Sequence, residues 1–378
     1  MIPANQPDPY PSGPSEIDTL IIGGGQAGLS CARQLQQKDC PCLVLEAAAH
    51  IGDQWRHQYD SLRLFTSNRV NGLPGMRFPG PPAGFASKDE VSDFLQAYAD
   101  KHALPVQCAT RVTAVCRHPS GFRVQSTAGE FLARNIIVAT SPFGGRPALP
   151  AAADQLDQSI LQLHSSQYRR PGQLRPGPVL VVGAGHSGCD IARELALSHP
   201  TFLCGRDTGE VPVPFDRQVV HLVIPLVMFS HAHLHTRRTS RGRAERLNVL
   251  AHGAPRLRVK RRDLLDAGVI WNEHRFDRVR HGQPVLADGT ELSVSNVVWA
   301  TGFRHDYSWL DLPVFDQRGW PREYRGVSTD VPGLYFCGLA YQYSMASMNF
   351  YGVGPDSRYI ARRIAAGVRQ QTGSRTIV

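Results

Sequence analysis

Two stretches of this 378-residue chain have a spacing that lets backbone hold a phosphate: Gly23-Gly24-Gly25-Gln26-Ala27-Gly28 and Gly183-Ala184-Gly185-His186-Ser187-Gly188. Each is a G-x-G-x-x-G between a short apolar run and a segment of helical spacing. In that context the first glycine permits the tight turn, and the second lets the main chain approach a pyrophosphate. The third lets helix and strand pack closely. The start of the helix offers unpaired N–H groups and a positive dipole end. Gln26, Ala27, His186 and Ser187 complete the candidate dinucleotide contacts of the two turns.

The residue that follows each unit separates them. Gly23 to Glu46 is 23 residues, and Gly183 to Arg206 is also 23. One position is therefore a carboxylate in the first copy and a guanidinium in the second. A carboxylate accepts from free ribose hydroxyls and repels a 2′-phosphate, whereas a guanidinium binds that phosphate through charge-assisted bonds. The contrast assigns FAD to the first unit and NADPH to the second. The alternative for Arg206 is membership of a solvated basic face. The segment from Arg206 to Arg262 holds twelve Arg or Lys against four Asp or Glu, most of the net charge of +9.

These turns need strands and helices to present them. Ile17–Ile22 reads as a buried strand, Leu29–Gln37 as a helix and Pro41–Leu45 as the next strand. The second copy repeats this with Val179–Val182, Cys189–Leu197 and Thr201–Cys204. Two related runs, Asn135–Thr140 (N-I-I-V-A-T) and Asn296–Gly302 (N-V-V-W-A-T-G), follow hairpin-like stretches, the second turning at Asp288-Gly289. Each closes one unit and sends the chain to the other, and Thr140, Thr301 and Gly302 are candidate cofactor contacts. The expected fold is α/β with two Rossmann-type dinucleotide-binding domains, the FAD domain carrying an inserted NADPH domain. The boundaries expected are a tail at 1–16, the FAD domain at 17–145 and 293–378, and the NADPH domain at 146–292. The last includes the basic segment 207–262, with breaks at Pro212, Pro214, Pro225 and Pro255.

Bulk properties exclude several classes. An apolar content of 42% with 35 Gly and 28 Pro suits a loop-rich globular protein. The apolar run Val219–Phe229 is interrupted by His221 and Pro225 and is too short to span a bilayer, so no stable membrane insertion is expected. The first fourteen residues hold five prolines and no basic region, which reads as a tail and not a signal peptide. Eight cysteines show no framework, and Cys40 and Cys42 form C-P-C, not C-x-x-C, which argues against a zinc site or a redox dithiol and for a reducing cytoplasm. The basic segment lacks interleaved aromatics, so no nucleic-acid partner is expected. His231, His233 and His235 have no carboxylate or Cys company in sequence, and no metal is expected. The oligomeric state stays open, a homodimer included.

Further stretches resemble the flavin-containing monooxygenases, and more closely their bacterial branch similar to the plant YUCCA enzymes. They are Gly52–Trp55 (G-D-Q-W), Tyr59–Leu64, Leu73–Pro79, His164–Arg169, Val298–Arg304 and Gly352–Ile360, spread over residues 17 to 365. The resemblance implies that Gln54 and Trp55 line the FAD pocket. It places Asn68 beside the flavin as a catalytic residue, the alternative being a turn asparagine bonded to its own backbone. It also implies that Gly352 and Val353 open a last helix, with Pro355 in its first turn, aimed at the flavin's pyrimidine edge. The family fingerprint F-x-G-x-x-x-H-x-x-x-Y/F is partly lost, Gln158 and Ile160 replacing Phe and Gly. His164 and Tyr168 remain, and His164 also reads as a linker histidine bonded to backbone.

The activity implied is reduction of FAD by NADPH, addition of dioxygen to give a C4a-hydroperoxyflavin, and oxygenation of a small nitrogen, sulfur or α-keto acid substrate. Two alternatives stand beside it. One is an NADPH-dependent reductase passing electrons to a quinone, small acceptor or protein. The other is a non-enzymatic redox sensor.

Overall fold

The structure, a computed structural model, describes residues 14–140, 145–210, 220–252, 255–256 and 258–374. Residues 1–13 of the expected tail, Pro212, Pro214 and Val219 lie outside them.

Strand β1 (Ser15–Ile22) ends in four buried residues and turns through Gly23 into helix α1 (Gln26–Gln36). Strand β2 (Cys42–Leu45) then returns parallel to β1. Two helices follow, α2 (Asp53–Arg56) and α3 (Lys88–Lys101), the second started by a capping box between Ser87 and Glu90. Strand β3 (Val106–Gln107) lies parallel to β2. Strands β4 (Val112–His118), β5 (Gly121–Ser126) and β6 (Gly129–Val138) form an antiparallel meander, and β6 continues alongside β1 in parallel.

The chain crosses to a second sheet through β7 (Arg146–Pro147). Here β8 (Leu161–His164), β9 (Val179–Val182), helix α4 (His186–Leu195) and β10 (Thr201–Cys204) repeat the first unit. Helices α5 (Val220–His233), α6 (Ser240–His252) and α7 (Arg261–Asp266) come next, then β11 (Ile270–Asn272), the hairpin β12 (Phe276–Arg280) and β13 (Gln283–Leu286), and β14 (Asn296–Trp299). The second sheet runs β11-β10-β9-β14-β8, and every pairing in it is parallel. Strand β15 (Phe303–Arg304) pairs antiparallel with β7, so the outgoing and returning crossings form one ribbon. Strands β16 (Glu323–Tyr324), β17 (Val327–Ser328) and β18 (Leu334–Phe336) complete the first sheet in the order β16-β17-β18-β6-β1-β2-β3. The last helix, α8 (Phe350–Ser374), packs on α1, where the buried Ser30 and Ser357 hydroxyls meet at 2.7 Å. The chain is thus α/β, with two Rossmann-type units and the second inserted in the first.

Three expectations need correction. The return to the first unit does not fall at residue 293, because Asn296–Trp299 is hydrogen-bonded between β9 and β8 of the second sheet. Pro225 does not break the basic segment but sits inside α5. Helix α8 starts at Phe350, so Pro355 stands in its second turn and not its first.

Helix α5 is apolar on more than one face. Ile224 and Met228 are buried against Val70, with Tyr351 beside them, while Leu226 and Phe229 stay more than half exposed. Burying Ile224 and Met228 contributes roughly 1.5–3 kcal/mol each. The turn after α5 is tied to the first sheet by Arg237. Its Nη1 donates to Glu323 Oε1 at 2.5 Å and to the Gln342 carbonyl at 2.9 Å, and its Nη2 donates to the Glu323 carbonyl at 3.0 Å. The Glu323 side chain is 1% exposed, so its charge has little solvent to fall back on. Arg237→Met is expected to destabilise by about 3–5 kcal/mol, because the partner left behind is a buried, uncompensated carboxylate. Adding Glu323→Gln should recover much of that loss in urea denaturation. Equal losses in the single and double variants would contradict the pairing.

Candidate active site

The two glycine turns are near copies. Gly23 has φ +109° and Gly183 φ +110°, and the residue capping each helix, Gly25 or Gly185, has φ −77° or −79°. Gly23 N–H donates to Leu45 O and Gly183 N–H to Cys204 O, both at 2.8 Å. A Cβ on Gly23 would stand 2.8 Å from Ala139 O, and one on Gly183 would stand 2.4 Å from Ala300 O. A Cβ on Gly28 would lie 1.9 Å from Gly23 O, and on Gly188 1.8 Å from Gly183 O. Around Gly25 and Gly185, by contrast, nothing lies within 4 Å of where a Cβ would be. The third glycine is therefore closed by the protein and the second is open, as a turn that receives a pyrophosphate requires.

The two strand ends differ by one residue: Glu46 directly follows β2, whereas Gly205 holds the matching position after β10 and Arg206 comes next. Glu46 Oε2 accepts from Gly24 N–H at 2.6 Å and Oε1 from Ala48 N–H at 2.8 Å, which fixes the carboxylate beside the first turn. Arg206 follows β10 and is exposed. Ala27 is buried, and Gln26 and His186 each open a helix. Burial, then the nearby Arg256 and Arg258, pushes the His186 imidazole down to about 4, so it is neutral at physiological pH. Ser187, beside it, is exposed.

Asn68 is buried in a short 3-10 turn beneath α5. Its Nδ2 donates to Pro81 O at 3.2 Å, while its Oδ1 is buried without a partner. The turn-asparagine alternative accounts for neither atom, because the donor reaches a carbonyl thirteen residues away and the acceptor is unpartnered. Trp55 packs near Phe350, their ring centroids 6.3 Å apart, whereas the Gln54 side chain points to solvent. Thr140 is partly buried at the end of β6, and Thr301 Oγ1 is buried without a partner. Gly352 sits in the first turn of α8, closed by Ala346 O at 2.1 Å from a Cβ, and Val353 beside it is buried.

His164 is a structural linker residue. Its Nε2 faces Gly302 O at 3.0 Å, and a carbonyl only accepts, so Nε2 carries the proton. Its Nδ1 accepts from Ser166 N–H at 3.2 Å, so the ring is neutral; burial lowers its pKa and the Gly302 bond opposes that only in part. Gly302 O also accepts from Ala148 N–H at 3.0 Å, which joins His164 to the crossing ribbon. Tyr168 OH donates to Glu194 Oε2 at 2.8 Å, and Tyr59 OH to Asp190 Oδ2 at 3.1 Å, two ties onto α4.

Sequence reasoning missed Gly338. It follows β18 with φ +88°, and a Cβ there would be 2.9 Å from the Ala27 side chain, so it flanks the first turn. The signal was a third strand ending in glycine, F-C-G. Also unforeseen is a cavity of about 110 Å³ between the 55–65 loop and α4, lined by Tyr59, Phe65, His186, Ser187, Arg256 and Arg258.

Residues 20–200 match the pyridine nucleotide-disulphide oxidoreductase family model. The CzcO-like oxidoreductase of Geobacillus kaustophilus is 36% identical over 350 residues, covering 92% of this chain and 98% of that one. A flavin-containing monooxygenase from Stenotrophomonas maltophilia has a TM-score of 0.75 and 26% identity over 94% of this chain and 99% of its own. The chain belongs to the flavin-containing monooxygenase family, among the CzcO-like oxidoreductases. A probable indole-3-pyruvate monooxygenase of Arabidopsis thaliana is a more distant relative, 25% identical over 93% of this chain and 90% of its own. The chain is a flavoprotein oxidoreductase.

The open and closed glycines separate function from folding. Helix propensity alone favours Ala over Gly by about 1 kcal/mol. Gly188→Ala is nonetheless expected to lower Tm by several degrees, because the methyl meets backbone. Gly185→Ala should leave Tm near the parent value and weaken NADP+ binding at least tenfold or so. A raised Tm in Gly188→Ala, or unaltered binding in Gly185→Ala, would contradict the geometry.

Proposed function

We propose that this protein is an FAD- and NADPH-dependent monooxygenase that uses dioxygen to oxygenate a small nucleophilic substrate. The observation that carries the reading is the pair of matching turns followed by Glu46 in one unit and Arg206 in the other. We assign residues 17–145 and the stretch after Gly302 to the FAD unit, and 146–302 to the NADPH unit.

When bound, the flavin supplies the electron relay between nicotinamide and dioxygen. The chain's own part is binding, orientation and exclusion of water. Amides at the starts of α1 and α4 hold the two pyrophosphates, with Gly25 and Gly185 giving access. Glu46 holds a ribose through the acceptor capacity it keeps beyond its two backbone bonds. Asn68 donates to Pro81 O, which fixes its carboxamide and leaves Oδ1 as an acceptor for the reacting groups. Helix α5 covers this turn through Ile224 and Met228 and keeps water from it. His164 and His186, both neutral, supply no proton. The names of the plant relatives support an α-keto acid among the substrate classes, beside nitrogen and sulfur nucleophiles.

One observation favours NADPH-dependent reduction of another acceptor as a second reading. Ile160, where the family fingerprint has glycine, is buried against the second sheet with Leu180 and Trp299, so a side chain fills a position that the fingerprint leaves without one.

Anaerobic stopped flow with NADPH and with NADH, followed by mixing with oxygen, tests the proposal. Reduction should be at least about tenfold faster with subsaturating NADPH. A transient absorbance distinct from oxidised and reduced flavin should follow, and label from 18O2 should enter the product. Rapid reduction with neither transient nor label would favour the reductase. Failure of both nucleotides to reduce the flavin would overturn the assignment.

A further inference from the structure

Asp207 directly follows Arg206 in the segment leaving β10, two residues past Gly205, which holds the position of Glu46; a carboxylate near that end favours an unphosphorylated ribose. Left free, it would oppose the guanidinium beside it. Both of its oxygens are taken instead. Oδ1 accepts from Arg256 Nη1 at 2.8 Å and from Gly209 N–H at 2.7 Å, and Oδ2 accepts from Arg261 Nη1 at 3.3 Å. Burial raises the Asp207 pKa, but the Arg256 bond and the other donors outweigh it and hold the carboxyl below its usual range.

The two arginines are themselves fixed. Their guanidinium carbons lie 4.8 Å (Arg256) and 4.6 Å (Arg261) from the centre of the Trp271 ring. Trp271 Nε1 donates to Gly205 O at 3.0 Å, which anchors the indole at the end of β10. Glu273 accepts from Arg261 at 2.6 Å and Glu210 stands 3.6 Å from Arg256 Nη2, so the clamp is neutralised from its outer side. Arg256 is 1% exposed, its Nε is buried without a partner, and it lines the cavity at the start of α4. Arg206 is bound to none of these groups and is exposed.

We propose that Arg256 and Arg261, packed on Trp271, hold Asp207 out of the ribose site and thereby make the second unit select an adenosine 2′-phosphate over a free 2′-hydroxyl. Arg206 is then the phosphate ligand, and the Arg256–Asp207–Arg261 group is a positioning device. This rests on the reading that the second unit binds NADPH.

The test is calorimetric titration of FAD-loaded protein with adenosine 2′,5′-bisphosphate and with AMP, which reads binding without turnover. The parent should bind the bisphosphate at least about tenfold tighter than AMP. Arg261→Gln, at a part-exposed position, should narrow that ratio several-fold, in part by tightening AMP. Asp207→Ala should keep the preference, and Arg261→Gln combined with Asp207→Ala should restore the parental ratio. Arg256→Met should act in the same direction as Arg261→Gln if its circular dichroism is native; Arg261→Gln decides the matter if it is not. An unchanged ratio in Arg261→Gln overturns the inference. So does failure of the double variant to recover, which would make Arg261 a direct phosphate ligand. A parent without preference overturns the NADPH reading itself.

Discussion

In each dinucleotide unit a helix begins so close to its own strand that one position tolerates no side chain. At Gly28 and Gly188 the preceding turn's carbonyl occupies the space of a Cβ, at 1.9 and 1.8 Å. That approach sets the direction of α1 and α4, and hence where their unpaired amides and positive dipole ends point. Everything that specifies a ligand is arranged around it: the open glycine before the helix, the strand-end side chain, and the A-T run that seals the turn from behind. The two turns are nearly equal. Under the proposed function the residues just past the strand ends carry the difference between them: Glu46 in one unit and, one residue further along, Arg206 in the other.

The second constraint is how the two units are joined. Both crossings run through one antiparallel ribbon, with Ala148 and His164 sharing the Gly302 carbonyl and Arg146 paired with Asp306 at 2.6 Å. Tyr59 and Tyr168 hold α4 from outside the second sheet through Asp190 and Glu194. Such ties limit how far the units rotate against each other while two cofactors must meet end to end. His164 belongs to this framework as a neutral, doubly bonded imidazole.

Much of this was legible in the sequence because it is local. Glycine spacing and the apolar runs identified both units, but the equal 23-residue intervals hide that β10 ends one residue earlier, so Gly205 and not Arg206 matches Glu46 in register. The helices were read three residues late, since their first turns lie inside the glycine motif and carry no apolar periodicity. Pro225 read as a break because α5 is apolar around much of its circumference, and a proline in such a helix gives no sign that packing against Val70 will hold it. The boundary at 293 failed because Asn296–Trp299 looks like a strand of either sheet, and only pairing with β9 and β8 decides. Arg237–Glu323 and Arg256–Asp207 join residues 86 and 49 positions apart, beyond what spacing reveals. Asn68 was found through resemblance; its buried, unpartnered oxygen is a structural fact that no sequence pattern carries.

The measurement that bears most directly on the central claim is a crystal structure of the protein with both FAD and NADP+ bound. The account requires the FAD pyrophosphate at Gly23–Gly28 with its ribose at Glu46. It requires the NADP+ pyrophosphate at Gly183–Gly188, the 2′-phosphate on Arg206, and the nicotinamide and flavin rings near Asn68. FAD in the second unit, or a 2′-phosphate away from Arg206, would contradict it.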